Sequence, residues 1–63
     1  MKMRIKEIRE EKKMTQEELE NKSGISRQTI SAIENGKTKD VKSGTLIAIA
    51  EALGTTLDDI FLV

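Results

Sequence analysis

Hydrophobic residues recur along this chain at the spacing of amphipathic helices, and polar capping residues separate the groups. Residues 3–12 carry Ile5 and Ile8 among charged side chains, which predicts a first helix with one apolar face. Thr15-Gln16-Glu17-Glu18 has the pattern of a capping box, in which the Thr15 hydroxyl and the Glu18 carboxylate each accept an otherwise unpaired backbone N–H. A second helix is therefore expected to begin there. Ser23-Gly24 is expected to end it, because glycine readily adopts the left-handed conformation found at helix ends.

The next helix is expected to follow after a very short turn. Ser26 is a favourable N-cap for a third helix over residues 27–34, and Asn35-Gly36 would close it. Two short helices joined by a tight turn that contains glycine indicate a helix-turn-helix unit over about residues 15–35.

Two further helices are expected after a lysine-rich loop. Ser43 or Thr45 would cap a fourth helix that runs to Leu53 and has its apolar residues on one face. Residues 56–59 repeat the capping-box pattern with Asp in place of Glu, which predicts a fifth, short helix carrying Leu57, Ile60 and Phe61. Residues 1–63 are therefore predicted to form one all-α domain.

A helical wheel of the third helix separates a core side from an outward side. At about 100° per residue, Ile30 and Ile33 mark the direction of the core. Arg27 and Glu34 lie on one flank, Thr29 lies on the other, and the opposite arc holds Gln28, Ser31, Ala32 and Asn35. This arc is polar and largely uncharged, whereas a solvated helix face more often carries Lys and Glu. From periodicity alone, a docking face and an ordinary solvated face both remain open.

The first turn of this helix holds two side chains that are well suited to reading bases. An arginine can contact guanine O6 and N7 with two hydrogen bonds, and a glutamine can do the same with adenine N6 and N7. Arg27 and Gln28 would both lie in the first turn of a helix that enters the major groove end-on. They are the best candidates in the chain for base contacts.

Composition excludes several kinds of site. The 63 residues include no Cys and no His, which argues against a metal site and against nucleophilic catalysis. There is also no glycine-rich phosphate loop, so an enzyme is not expected, and no cofactor or small-molecule ligand is predicted. No apolar run approaches the roughly 20 residues of a membrane span, and residues 1–4 lack the apolar stretch of a signal peptide. We therefore expect a cytoplasmic protein.

Net charge and local charge favour different functions. Eleven basic and eleven acidic residues give a net charge of zero, whereas DNA-binding proteins usually carry a basic surface. However, glutamates are concentrated in residues 7–20, while residues 35–42 hold three lysines and one aspartate. Because phosphates respond to the local field, the second segment is compatible with DNA binding.

Several short strings, weak individually, are specific in their order and spacing. They are Ile8-Arg9, Met14-Thr15-Gln16-Glu17-Glu18-Leu19, Ser23-Gly24-Ile25-Ser26, Ile30, Ile33-Glu34-Asn35-Gly36, Ala50-Glu51-Ala52-Leu53-Gly54 and Leu57-Asp58. Through them, residues 5–61 resemble the Cro/C1-type helix-turn-helix family, which includes the lambdoid phage repressors. The resemblance implies a compact, lambda-repressor-like fold of five helices, with the third helix in the DNA major groove.

The resemblance also implies roles for individual residues. Gln16 would hold a backbone phosphate and brace the first reading residue, aided by the positive end of the second helix. Base contacts are expected from Arg27, Gln28, Ser31 and Ala32. Phosphate contacts, which position the protein without reading sequence, are expected from Gln16, Thr29, Asn35, Lys37, Thr38 and Lys39, and more loosely from Lys42. Thr29 is also a candidate for a thymine-methyl contact, and the lysines have the alternative of being solvated loop charges.

Other residues in the resemblance are structural, and two features depart from the family. Arg9 and Glu34 resemble a family pair that forms a partly buried ion pair between the first and third helices. Glu20 stands where the family usually has a small residue, and we expect its carboxylate to stay in solvent while its stem crosses the helix contact. The loop between Gly36 and Thr45 is slightly longer than is common and lacks the usual proline.

The function expected from these observations is sequence-specific binding of double-stranded DNA by a transcriptional regulator, most simply a repressor. One such domain buries only about 600–1,000 Å² on DNA, so a homodimer on a palindromic operator is expected. The apolar residues Ile60, Phe61, Leu62 and Val63 are candidates for the dimer interface, although Phe61 could instead close the core. The alternative function is an antitoxin or another regulator that binds a protein partner, with DNA binding secondary; the balanced charge favours it slightly.

Overall fold

The computed structural model describes residues 2–37 and 41–62, and five helices form the bulk of this part of the chain. The elements, in order, are β1 (Lys2–Met3), α1 (Ile5–Glu11), α2 (Gln16–Ser23), α3 (Arg27–Glu34), α4 (Ser43–Leu53), α5 (Leu57–Ile60) and β2 (Phe61–Leu62). The predicted five-helix, all-α fold is confirmed. The short antiparallel pairing of β1 with β2 was not predicted.

Local capping sets the limits of α2 and α3 as the sequence indicated. The Thr15 hydroxyl accepts the Glu18 N–H at 3.0 Å, and the Glu18 carboxylate accepts the Thr15 N–H at 3.0 Å, which completes the predicted capping box. The Ser26 hydroxyl accepts the Thr29 N–H at 3.3 Å at the start of α3. Gly24 ends α2 with φ of +76°, a conformation that costs a residue with a Cβ far more than it costs glycine.

Two predictions about the second half of the chain are wrong. Neither Ser43 nor Thr45 caps α4, because the chain enters the helix one residue earlier, with Lys42 at the N-cap and no side-chain capping bond. Phe61 does not belong to α5, because the helix ends at Ile60 and the backbone of Phe61 then pairs with β1. Long-range strand pairing therefore replaces the last helical turn that the local pattern predicted.

The cap of α5 differs in one detail from the expected capping box. The Thr56 hydroxyl accepts the Asp59 N–H at 3.2 Å, as expected. The Asp59 carboxylate, however, accepts the Thr55 hydroxyl at 2.8 Å, which is the largest cause of a lowered pKa for Asp59.

All five helices contribute to a single apolar core. Its buried members are Ile5, Ile8, Leu19, Ile30, Ile33, Leu46, Ile49, Ala50, Leu53 and Ile60. The two isoleucines of α3 are on the side that the helical wheel predicted. Ile60 is 0% exposed and belongs to this core, so it does not form part of a surface for a dimer partner, contrary to expectation.

The capping box of α2 makes the stability of the protein depend on pH. Hydrogen bonds from the backbone N–H and the hydroxyl of Thr15 lower the pKa of Glu18. A lowered carboxylate pKa stabilises the fold above the ordinary glutamate pKa, and this contribution disappears as the pH falls through the lowered pKa. We expect the urea midpoint of a Glu18→Gln variant to fall less in acid than that of the unchanged protein. Glu17→Gln, at an exposed position outside the box, is the matched control, and an equal loss in both variants would contradict the prediction.

Candidate nucleic-acid interface

The outward arc of α3 faces away from the core because the opposite side of the helix is buried. Ile30 and Ile33 are 0% and 4% exposed, whereas Gln28 and Asn35 lie in the exposed part of the surface. Ser31 and Ala32, between them on the arc, are half-buried. An α-helix with its side chains is about 10–12 Å in diameter, which matches the width of a B-DNA major groove.

A shallow, open depression lies along this arc. The N-terminus of α2, the arc of α3 and the loop that follows supply its lining, which consists of Gln16, Arg27, Gln28, Ser31, Ala32, Asn35 and Lys37. Two of these described residues are cationic and none is acidic. The depression therefore offers hydrogen-bonding groups and positive charge on a protein whose net charge is zero.

A partly buried ion pair supports this surface from behind. Arg9 of α1 donates to both carboxylate oxygens of Glu34, from Nε at 2.8 Å and from Nη2 at 3.2 Å. Arg9 Nη1 donates to the Met14 carbonyl at 2.8 Å, so the guanidinium also anchors the turn between α1 and α2. The hydrogen bond to Glu34 is the main reason that the pKa of Arg9 is raised. Arg9 and Glu34 therefore join α1 to the end of α3.

Gln16 connects the ion pair to the depression. Its Nε2 donates to Glu34 Oε1 at 2.9 Å, and its Oε1 accepts from Arg27 Nε at 3.3 Å. The amide of Gln16 consequently has a defined orientation, with nitrogen towards Glu34 and oxygen towards Arg27. The contact between Gln16 and Arg27 has the geometry of the bracing role that the family resemblance implies. The contact between Gln16 and Glu34 had no signal in the sequence.

Glu20 has a different environment from the one expected. Its Oε2 accepts the backbone N–H of Arg27 at 2.9 Å in an exposed hydrogen bond, a partner that the sequence did not predict. The first N–H groups of a helix have no partner within the helix, and an anion near them is also favoured by the helix dipole. Glu20 is therefore a cap for α3 that is supplied by α2.

The remaining predicted contact residues lie around the depression or outside the described part of the chain. Thr29 is exposed, and its hydroxyl oxygen accepts from the Ser26 hydroxyl at 2.8 Å. Asn35 Nδ2 donates to Ser31 Oγ at 3.3 Å, which links two residues of the arc. Lys42 is exposed at the N-cap of α4. Thr38, Lys39 and the dimer candidate Val63 lie outside the described residues; for Phe61 and Leu62, the description is limited to their backbone pairing.

Other kinds of site find no support in the described residues. Among them, no group of three or more acidic, His or Cys side chains is placed to hold a metal ion. None of the helices in residues 2–37 and 41–62 is long and apolar enough to cross a membrane.

The fold defines a helix-turn-helix protein, in which α2 and α3 form the unit. A helix-turn-helix family model matches residues 5–60, which is nearly all of the chain. The chain therefore belongs to the Cro/C1-type helix-turn-helix family of DNA-binding transcriptional regulators.

Similar proteins come from archaea and bacteria. An uncharacterized HTH-type transcriptional regulator of Methanocaldococcus jannaschii is 44% identical over 62 residues, which cover 98% of this chain and 92% of the relative. Another from Archaeoglobus fulgidus is 39% identical over 62 residues, covering 98% and 86% of the two chains. The HTH-type transcriptional repressor RghR of Bacillus subtilis is 45% identical over 49 residues, which are 78% of this chain but only 36% of that protein.

Proposed function

We propose that this protein reads a specific sequence of duplex DNA with α3 in the major groove and thereby represses transcription. The observation that carries the proposal is the depression, because it brings Gln16 of α2 together with six residues of α3 and the loop that follows, and all but Ala32 carry hydrogen-bonding side chains. The described lining holds two cations and no carboxylate, which an anionic ligand explains better than solvation of one helix face does.

The proposed contacts follow from the chemistry of each side chain. Arg27 and Gln28, both exposed in the first turn of α3, contact base edges, with Ser31 and Ala32 further along the same arc. Gln16, Asn35 and Lys37 lie at the margins of the depression and contact phosphates. Thr29 and the loop residues Thr38 and Lys39 are proposed as further phosphate contacts.

The protein is proposed to act as a homodimer on a palindromic operator. A single α3 reads only a few base pairs, and two-fold symmetry doubles the recognised sequence with half-sites about one helical turn apart. The segment that includes Phe61 and Leu62 is the proposed contact, because each strand of the β1–β2 pair has an outer edge to which a second copy can add. Repression is supported by the similarity to RghR, which is itself a transcriptional repressor.

Selection of bound sequences from random DNA duplexes tests the proposal most directly. A palindromic consensus would support dimeric binding, and its centre-to-centre spacing would give the separation of the two α3 helices. Sedimentation equilibrium with and without that duplex would give the stoichiometry. A selection that returns no consensus, with no binding to any duplex at low salt, would contradict the proposal.

Individual variants separate base reading from phosphate contact. We expect Gln28→Ala to reduce the preference at one base pair by about 1–3 kcal/mol. The glutamine makes its bidentate contact only with the correct base, so its removal weakens binding to that base and not to the others. Lys37→Ala is expected to weaken binding to all duplexes alike and to reduce the salt slope by about one. Competition binding against every single-base change of the operator measures both effects. An equal loss for Gln28→Ala on every duplex would exclude Gln28 as a base reader.

The alternative, a regulator that binds mainly a protein partner, is favoured by the zero net charge of the chain. Salt dependence distinguishes the two functions. A protein that contacts several phosphates releases counterions and loses affinity steeply with rising salt, whereas a shallow dependence would favour the protein partner.

A further inference from the structure

Two side chains of α2 hold the first residue of α3 at two different points. Glu20 Oε2 accepts the backbone N–H of Arg27 at 2.9 Å, and Gln16 Oε1 accepts the side-chain Nε of Arg27 at 3.3 Å. Gln16 and Glu20 are four residues apart in α2, so they lie one turn apart on the same helix face. Arg27 thus has one contact with α2 at its backbone and a second at its guanidinium.

The contact with Gln16 determines which edge of the Arg27 guanidinium remains available, and the contact with Glu20 places the backbone that carries it. A guanidinium carries five N–H donors, and the one on Nε is directed at Gln16. Among the described residues, Nη1 and Nη2 of Arg27 have no hydrogen-bond acceptor, and Arg27 lines the depression. A bidentate contact to guanine O6 and N7 needs two parallel donors, which the Nη1–Nη2 edge supplies.

We propose that Glu20 is a positioning residue for base reading, whose carboxylate fixes the start of α3 so that Arg27 presents its Nη edge to a guanine. The inference rests on the proposed function and deepens it, because it names the base and a residue that acts without touching DNA.

Variants of Glu20 separate the hydrogen bond from the charge. Glu20→Ala removes both, whereas Glu20→Gln keeps an acceptor oxygen and removes only the charge. Glu17→Ala removes a glutamate at an exposed position of the same helix, where the carboxylate makes no contact with α3, and it is the matched control. Arg27→Ala identifies the base pair that Arg27 reads.

We expect Glu20→Ala to reduce the preference for guanine at that base pair about fivefold, since part of a bidentate discrimination depends on the placement of Arg27. Glu20→Gln should retain the preference within about twofold. Preference at the other base pairs should be the same in all three glutamate variants. The measurement is competition binding at a temperature where circular dichroism shows every variant folded.

Amide hydrogen exchange of Arg27 in the free protein provides a readout that does not involve DNA. Exchange should be faster in Glu20→Ala than in the unchanged protein, and close to normal in Glu20→Gln and Glu17→Ala. Loss of affinity spread evenly over all base pairs in Glu20→Ala, or an unchanged guanine preference, would overturn the inference while leaving the proposed function intact. Slow exchange at Arg27 that depends on Glu20, in a protein that binds no duplex, would instead overturn the proposed function.

Discussion

Replacing Arg9 by methionine is expected to destabilise the protein by about 3–5 kcal/mol, which is enough to unfold a large fraction of so small a domain. The substitution leaves the Glu34 side chain, which is 2% exposed, as a buried carboxylate without its cation. It also removes the donor to the Met14 carbonyl and so frees the turn between α1 and α2. Urea denaturation followed by circular dichroism measures the loss.

A second arginine–glutamate pair in the same protein supplies the control for Arg9. Arg4 Nε and Glu7 Oε2 are 3.4 Å apart at the surface, with side chains that are 31% and 60% exposed. Arg4→Met is therefore expected to cost about 1 kcal/mol or less. The double variant Arg9→Met with Glu34→Met should recover much of the loss, because no charge then stays buried. Equal effects of Arg9→Met and Arg4→Met would show that burial does not strengthen the role of Arg9.

Truncation of Ile30 is expected to have the second largest effect, a loss of about 2–5 kcal/mol in the free energy of unfolding for Ile30→Ala. Ile30 is 0% exposed and belongs to the apolar core to which all five helices contribute. The substitution removes apolar contacts and leaves a cavity that the surrounding helices cannot fully close. DNA binding should fall in parallel with the folded fraction, since Ile30 itself faces away from the depression.

Ile47 offers the same chemical change at an exposed site. It is 44% exposed on α4, so Ile47→Ala should alter stability by only about 0.5 kcal/mol. Thermal and urea unfolding of the two variants, measured side by side, compare a buried with an exposed isoleucine. A loss for Ile47→Ala as large as that for Ile30→Ala would mean that Ile47 is buried in solution, for example against a second molecule.

The helix ends that the sequence predicted correctly are those set by neighbouring residues. The capping box at Thr15 and the N-cap at Ser26 need only the residues of the first helical turn, and Gly24 and Gly54 need only their own freedom at positive φ. Such interactions act over three or four positions, so a sequence pattern contains all of their partners.

Three local features differ from what the sequence pattern indicated or had no signal in it, and for Phe61 a distant partner is the cause. Phe61 leaves the expected helix because its backbone pairs with Met3, at the other end of the chain. Lys13 adopts a left-handed conformation, with φ of +55°, at the end of α1, where neither Gly nor Asn signals it. Lys42 lies at the N-cap of α4 with no side-chain cap, and neither the serine nor the threonine that follows takes that place.

In the candidate site, too, the sequence pattern predicted some features and missed others. Helical periodicity predicted which side of α3 faces outward, because Ile30 and Ile33 had to be buried. The contacts of Glu20 with Arg27, and of Gln16 with Glu34, depend on how closely α2 packs on α3, which periodicity does not specify. The depression likewise depends on how the N-terminus of α2 lies beside α3 and the loop after it, so only its individual residues could be predicted.

The β1–β2 pair places residues 2 and 62 side by side, although nearly the whole chain separates them. The Arg4 N–H also donates to the Ile60 carbonyl at 2.7 Å, so backbone hydrogen bonds hold the first and last described residues close together. A purification tag or fused domain attached before residue 2 would therefore leave the fold close to one attached after residue 62. Removal of residues 2–3 would also leave the backbone of residues 61–62 without its hydrogen-bonding partner.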